Sequence, residues 1–173
     1  PSIIEFTSSI EEDFVRRDFT INAIYIDMNS KIYDFSSGVS DLRGCLIRTI
    51  GDSRKRIQED PLRILRAIRF SLVYDFEIEE SLYFAIKRYG NLLSNISSGK
   101  IESELSKMRK SGVNELDIKK EFSKFNINAF YNIIFLLLNL LQMYDQNVHV
   151  LKLNILILYF LHLLNHIFFL IQN

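Results

Sequence analysis

The chain has 173 residues, with 21 basic and 21 acidic side chains and a formal net charge of zero. This length suffices for one domain or two small ones, and the neutral total excludes attraction of nucleic acid by a strong overall field. The single cysteine, Cys45, excludes an internal disulfide and favours a reducing, intracellular compartment.

The charges are unevenly distributed along the chain. Between Arg43 and Arg69, eight Lys or Arg residues stand against three acids. After Phe125, only Asp145 and Lys152 are charged. A local basic patch is therefore expected in the first half, despite the neutral total.

The first third predicts a small mixed α and β region. The opening residues, from Pro1, are typical of a strand already under way, so we expect this chain to be a piece of a longer protein. Ser8 or Ser9 can cap a short helix with acidic residues in its first turn. Residues 23–27 and 31–35 predict a β-hairpin, 36–38 a break, 41–44 a turn and 45–50 a strand. The basic residues 54–56 lead into the next helix.

A central helix is predicted to begin at Asp60 and Pro61, since Asp caps free N–H groups and Pro is tolerated at the first helical position. Leucine and isoleucine at three- and four-residue steps predict a buried stripe. We expect the opposite, exposed side to carry Asp60, Arg63, Arg66 and Arg69, with no acidic partner three or four positions from Arg66 or Arg69.

That charged side is consistent with two interpretations. One is an ordinary capped surface helix in which Asp60 pairs with Arg63. The other is nucleotide recognition, because a carboxylate beside a guanidinium complements the amino donor and ring-nitrogen acceptor of cytosine and adenine but not uracil or guanine. Arg66 and Arg69 would then suit the triphosphate.

Downstream, the pattern is helical. Amphipathic helices are predicted over residues 79–89, 101–109 and 114–125, with Gly90 and Gly112 as terminators. The predicted fold class is therefore α+β, with a small β-sheet and helices first and an all-helical part after it.

Three ordered motifs resemble the class II tRNA nucleotidyltransferases, the family of CCA-adding enzymes and bacterial-type poly(A) polymerases. The resemblance covers about residues 8–110. Its fold would be the end of a nucleotidyltransferase head followed by a helical neck and body. The matching residues are Asp13, Arg16 to Thr20, Asn22 and Ala23; Asp34 to Gly38, Asp41, Leu42, Ile47, Arg48, Gly51 and Asp52; and Glu59, Asp60, Arg63, Arg66, Ala67, Arg69 and Phe70.

The resemblance implies a role for each motif. Arg17 and Asp18 would contact the incoming nucleotide and its ribose. Asp60 and Arg63 would be the amino-acid template for CTP and ATP, and residues 34–52 would form the segment that reorients it. Arg66 and Arg69 would be further nucleotide-contacting arginines.

Two features depart from the family pattern. The family binds Mg²⁺ through a D-x-D pair after a Gly-rich turn, and no D-x-D occurs in this chain. We therefore place the Mg²⁺ ligands upstream of residue 1 and expect this chain alone to add no nucleotides. In the neck, Gly99 and Lys100 replace the usual Glu-Arg pair, which puts its support of the central helix in question.

The predicted division is 1–58 for the end of the head, 59–125 for a helical neck that binds nucleotide and RNA, and 126–173 for an apolar helical tail of uncertain role. The predicted function is CTP- and ATP-dependent addition to tRNA 3′ ends, with tRNA or another RNA 3′ end as partner. A poly(A) polymerase, a non-catalytic RNA- or nucleotide-binding remnant and a membrane-anchored helical protein are alternatives. Polar residues interrupt the apolar tail, which argues against a membrane span.

Overall fold

The computed structural model describes residues 9–127. The predictions for the tail therefore lie outside the described residues, apart from Asn126 and Ile127. Within residues 9–127 no helix is long and apolar enough to cross a membrane.

The amino-terminal region contains short helices and a hairpin. Ser9 caps α1 by accepting the Glu12 N–H, as predicted. The predicted hairpin is confirmed as an antiparallel pair in which Tyr25 lies opposite Tyr33. The elements of this region are α1 (Ile10–Arg16), a 3-10 turn (Thr20–Asn22), β1 (Ile24–Ile26), β2 (Ile32–Asp34), α2 (Gly38–Arg43) and β3 (Leu46–Ile47).

The remaining described elements are mainly helical and follow a mixed α and β order, so the predicted fold class is confirmed. The central helix α4 packs against α6 and α7 and also contacts α3, β3 and β4. These elements are α3 (Ser53–Glu59), α4 (Leu62–Tyr74), β4 (Glu77–Ile78), α5 (Glu80–Tyr89), a 3-10 helix (Gly90–Asn95), α6 (Ser98–Lys110) and α7 (Glu115–Lys124).

Three local predictions were wrong. Residues 38–43 form helix α2 rather than a break and a turn, and the strand predicted over 45–50 is limited to Leu46–Ile47. That strand pairs in parallel with β4, which the sequence did not indicate. The basic residues 54–56 belong to α3, capped by the Asp52 carboxylate, which accepts the Lys55 N–H.

The predicted exposed side of α4 was also wrong. Leu65 and Ile68 are fully buried as expected, but Ala67 is fully buried too, and Arg63 is only 9% exposed. Neighbouring elements surround α4 on several sides, so its arginines reach into contacts between elements rather than into solvent.

The start of α4 lies one residue later than predicted, because Asp60 joins two helices. Its backbone ends α3 by donating from its N–H to the Arg56 carbonyl. Its side chain begins α4, since Oδ1 accepts the Leu62 N–H at 3.1 Å. The predicted capping role of Asp60 is thus confirmed, and α3 passes directly into α4.

Gly38 allows α2 to lie directly on the turn that follows the Arg17-Asp18 motif. A Cβ atom built at Gly38 would lie 2.2 Å from the Thr20 carbonyl oxygen, which is backbone and cannot rotate away. Beside this contact, the buried Asp41 accepts the Thr20 hydroxyl at 2.7 Å. Glycine is therefore required here by close approach of two backbone segments.

Gly38→Ala should destabilise the chain by about 1–3 kcal/mol, because the added methyl forces α2 away from the Thr20 carbonyl. Gly99→Ala is the matched control: a Cβ at Gly99, in the first turn of α6, meets nothing within 4 Å. That substitution should be neutral or stabilise by up to about 1 kcal/mol. Denaturant unfolding measures both, and equal effects of the two changes would contradict this account.

Candidate nucleotide-binding site

The Arg17-Asp18 motif follows α1 as an extended segment held at several points. Arg17 donates to the Asp13 carboxylate at 2.7 and 2.9 Å, and the Tyr25 hydroxyl donates to the same oxygen. The Arg17 hydrogen bond, followed by that of Tyr25, keeps the pKa of Asp13 below its ordinary value. Arg17 is exposed, so its guanidinium is oriented by Asp13 and open to a ligand.

Asp18 is buried and its carboxylate is fixed from two sides. Oδ1 accepts the Phe19 N–H at 3.1 Å and the Asn22 side-chain amide at 2.8 Å. Oδ2 lies 2.5 Å from Nε of Arg66, on α4. This contact joins the first and third motifs, which are far apart in the sequence.

The Asp18–Arg66 contact is an ion pair without hydrogen-bond geometry. The two atoms are close, but the N–H is not directed at the oxygen, and neither buried atom has a hydrogen-bond partner among residues 9–127. A pair that is electrostatically favourable yet poorly aligned can exchange partners at low cost when a ligand supplies better-aligned donors and acceptors.

Arg63 lies at the α3–α4 junction. Its Nη1 donates to the Arg56 carbonyl at 2.6 Å and to Glu59 Oε2 at 3.3 Å. Glu59 also accepts from Arg56 at 2.7 Å. Within the described part of the chain, Nε and Nη2 of Arg63 form no hydrogen bond, so the guanidinium keeps donors for a ligand.

Asp60 lies one turn before Arg63, and its carbonyl accepts the Arg63 N–H at 3.1 Å. The predicted ion pair between the two side chains is absent among the described contacts, because Arg63 turns towards Glu59 instead. Oδ1 of Asp60 caps α4, and Oδ2 has no partner within residues 9–127. The carboxylate thus retains one acceptor beside the donors of Arg63.

Arg56 connects α3 to the first motif and was missed as a site residue. Its Nη2 donates to the backbone carbonyls of Arg16 and Arg17. The one signal for it is a basic side chain three residues before Glu59, and that i,i+3 spacing predicts only the pair with Glu59. Its contact with a segment about 40 residues earlier is a tertiary feature.

Arg69 has an acidic partner that lies outside α4, which the helical spacing could not indicate. Its Nε donates to Glu104 Oε2 at 2.8 Å, and Lys107 donates to Oε1 of the same carboxylate at 2.6 Å. Arg66 likewise has Asp18. Carboxylates from distant segments therefore neutralise both arginines, although α4 itself offers them no acid three or four positions away.

Glu104 shows how α6 contacts the central helix although Gly99 and Lys100 replace the family's usual Glu-Arg pair. It is 2% exposed and joins α6 to α4 through Arg69, so the neck supports the central helix without the usual Glu-Arg pair. Burial raises the pKa of Glu104, but the hydrogen bonds from Lys107 and Arg69 outweigh it and keep the pKa below its ordinary value of 4.5.

The described residues do not fit a Mg²⁺ centre. Residues 9–127 contain no group of three or more His, Cys, Asp or Glu side chains that could hold a metal. Asp27 and Asp34, on the hairpin, are already used: Asp27 accepts the N–H groups of the β1–β2 turn, and Asp34 accepts those of Gly38 and Val39. No step of the chemistry is therefore assigned to a metal held by these residues.

Comparisons with known proteins show which families this chain is similar to. The family model described as the poly A polymerase head domain matches residues 1–48. A CCA-adding enzyme of Lactobacillus helveticus is 44% identical over 108 residues, which cover 62% of this chain and 27% of that enzyme. One from Ligilactobacillus salivarius is 41% identical over 120 residues, covering 66% of this chain and 30% of that enzyme.

This chain is related to the CCA-adding enzymes. The Bacillus stearothermophilus CCA-adding enzyme in complex with CTP is 40% identical, with a TM-score of 0.58 over 60% of this chain and 26% of that one. The Thermotoga maritima enzyme complexed with tRNA is 29% identical, with a TM-score of 0.62 over 80% of this chain and 37% of that one. The resemblance seen in the motifs is therefore confirmed, and the chain spans less than a third of the length of these curated relatives.

Glu104→Gln should destabilise the chain by about 3 kcal/mol at pH 7, because it leaves Arg69 buried beside a neutral group. A carboxyl group with a lowered folded pKa stabilises above its unfolded pKa and loses that contribution as the pH falls through the folded value. The difference in free energy of unfolding between the unchanged chain and Glu104→Gln should thus be constant above about pH 4.5 and shrink below it.

Denaturant unfolding from pH 7 to pH 3 measures this difference. Glu80→Gln, at an exposed glutamate in the first turn of α5, is the control and should change stability by less than about 0.5 kcal/mol. If this stability difference for Glu104→Gln stays the same down to pH 3, the charge of the Glu104 carboxylate does not stabilise the fold.

Proposed function

We propose that the protein containing this chain adds nucleotides from CTP and ATP to the 3′ end of tRNA, and that this chain supplies the nucleotide recognition. The observation that carries the proposal is the Asp18–Arg66 contact, which brings the Arg17-Asp18 motif onto the helix bearing Asp60 and Arg63. The relatives described as CCA-adding enzymes, including structures with CTP, ATP and tRNA, support it.

In this proposal the base lies against the junction of α3 and α4. Oδ2 of Asp60 accepts the exocyclic amino group of cytosine or adenine, and Arg63 donates to the neighbouring ring nitrogen. Uracil and guanine present a carbonyl to Asp60 and a ring N–H to Arg63, so both contacts become unfavourable. Glu59 and the Arg56 carbonyl hold Arg63 in place, which gives this edge a fixed orientation.

The ribose and the phosphates lie on the other side of the same cluster. Asp18 accepts a ribose hydroxyl, and Arg66, released from its misaligned contact, turns to the triphosphate together with Arg17. Arg69 was predicted to contact nucleotide directly. Its pair with Glu104 instead supports a positioning role, in which it fixes α4 against the neck.

The division into a head that ends near residue 58, a neck to residue 125 and a tail remains a prediction, as does an intracellular location. Mg²⁺, which would hold and activate the triphosphate, is expected on residues outside this chain. A poly(A) polymerase is the second candidate, because the family model that matches residues 1–48 is described by that activity. The two differ in CTP, which only a CCA-adding enzyme uses.

Asp60→Ala should reduce the preference for CTP and ATP over UTP and GTP about tenfold, because it removes the acceptor and leaves Arg63 beside an unpaired amino group. The measurement is the affinity of the 173-residue chain for each of the four nucleotides by calorimetry. Binding of ATP with no binding of CTP would favour the poly(A) polymerase.

Asn114→Ala is the matched control, because Asn114 caps α7 by accepting the Asp117 N–H and lies outside the three motifs. Each variant should lose about 1 kcal/mol of stability from its cap, but only Asp60→Ala should alter base preference. If the unchanged chain binds no nucleotide, or if both variants alter the preference equally, the proposed recognition by Asp60 is wrong.

A further inference from the structure

A groove of about 450 Å³ lies between α3 and α5, outside the cluster described above. Arg54 contributes one wall from α3, and α5 contributes the rest. Three cations and two aromatic rings surround it, and none of the lining residues is acidic. The lining residues are Arg54, Phe84, Ala85, Lys87, Arg88 and Tyr89.

The Lys55 N–H, and to a lesser extent the charge of Arg54, lower the pKa of Asp52, so one carboxylate lies near the groove without forming an ion pair with it. Among residues 9–127, Arg54, Lys87 and Arg88 form no ion pair, whereas Arg63, Arg66 and Arg69 on α4 each have one. Lys87 and Arg88 instead lie over the rings of Tyr83 and Tyr89, at 6.0 and 5.7 Å from the ring centroids. Such exposed cation–π contacts are weak, so the positive charge of the groove remains available to an anion.

Phe84 adds an apolar surface beside these charges. It is 59% exposed, and it lies three and four residues before Lys87 and Arg88, which places all three on one face of α5. An isolated exposed phenylalanine needs no explanation. An exposed ring among unpaired cations, however, is the arrangement that binds single-stranded nucleic acid, in which cations contact phosphates and the ring stacks on a base.

The groove is separate from the candidate nucleotide site, because the two use different faces of α3. Arg56 points from α3 to the carbonyls of Arg16 and Arg17. Arg54 precedes it by two residues, which in an α-helix corresponds to about 200° around the axis. Arg54 therefore lies on roughly the opposite side of α3.

We propose that this groove binds a single-stranded segment of RNA, with phosphates on Arg54, Lys87 and Arg88 and a base stacked on Phe84. The choice of RNA as the polyanion rests on the proposed function. The groove would hold a part of the RNA away from the nucleotide site, on the other face of α3, and so adds affinity without taking part in base selection.

The test is binding of the 173-residue chain to a fluorescently labelled single-stranded RNA of about 10 nucleotides, followed by anisotropy over a salt series. The triple variant Arg54→Gln, Lys87→Gln and Arg88→Gln should bind at least tenfold more weakly. Its slope of log affinity against log salt should fall by about 2, which is 0.7 for each of three phosphate contacts.

Two further variants distinguish the effect of the groove on RNA affinity from the effect of the net charge of the chain. Lys100→Gln, Lys110→Gln and Lys119→Gln together remove the same charge from exposed positions on α6 and α7, and should leave affinity within about twofold. Phe84→Ala should weaken binding about tenfold with an unchanged salt slope, because stacking releases no counterions. Circular dichroism checks that each variant is folded.

Equal weakening by the two triple variants, or no RNA binding by the unchanged chain, would overturn the inference. Displacement of the RNA by polyglutamate at equal charge would also overturn it, because an acidic protein would then be the better occupant. CTP affinity, measured in parallel, should be the same in the groove variant and the unchanged chain. Groove-dependent RNA binding without any CTP binding would count against the proposed nucleotide recognition while supporting the groove.

Discussion

The structure depends on how the arginines of α4 are neutralised. The helix is enclosed by other elements, yet it carries Arg63, Arg66 and Arg69 at three-residue steps. Burying a guanidinium without a partner costs several kcal/mol, so each arginine requires a carboxylate close by. Those carboxylates come from three different places: Glu59 on α3, Asp18 in the first motif and Glu104 on α6. The charges that make α4 suitable for an anionic ligand are therefore also the links that join the helix to its neighbours.

The three ion pairs of α4 differ in burial and in hydrogen-bond geometry. Arg69–Glu104 is the most enclosed, with side chains 14% and 3% exposed, well-formed hydrogen bonds and a second cation at Lys107. Asp18–Arg66 is close but misaligned, and both atoms lack hydrogen-bond partners within the described residues. Arg66 and Arg69 lie one turn apart on α4, so the helix itself is held while the Arg66 side chain has no hydrogen bond to lose at its carboxylate. This difference supports the proposal that Arg66, rather than Arg69, exchanges a carboxylate for a phosphate.

Features set by residues close together in the sequence could be predicted, whereas features set by residues far apart in the sequence could not. The α1 cap, the hairpin and the helices α5, α6 and α7 depend on neighbouring residues and were predicted within a few positions. The partners of Arg66 and Arg69 lie 48 residues before and 35 residues after them, so no helical spacing could indicate them. Exposure of Arg63 was wrong for the same reason, since α3 covers it only after the chain folds. Helix α2 was missed because Gly38 was interpreted as a break, whereas it is the residue that lets α2 lie on the Thr20 carbonyl.

Helix α3 was not predicted, yet it contributes residues to both the candidate nucleotide-binding site and the groove beside α5. Asp52 caps it at one end, and at the other Asp60 ends α3 with its backbone and begins α4 with its side chain, so the two helices meet without a loop. That rigid junction holds Arg56 against the backbone of Arg17 and presents Glu59 to Arg63. The same rigidity carries Arg54 to the far side, beside the unpaired cations of α5. A seven-residue helix thus separates a cluster of paired arginines from a groove whose cations form no ion pair within residues 9–127. A neutralised guanidinium discriminates among small ligands by geometry, and an unpaired one attracts polyanions at longer range. This separation therefore supports the two proposals, base selection on one face of α3 and RNA binding on the other.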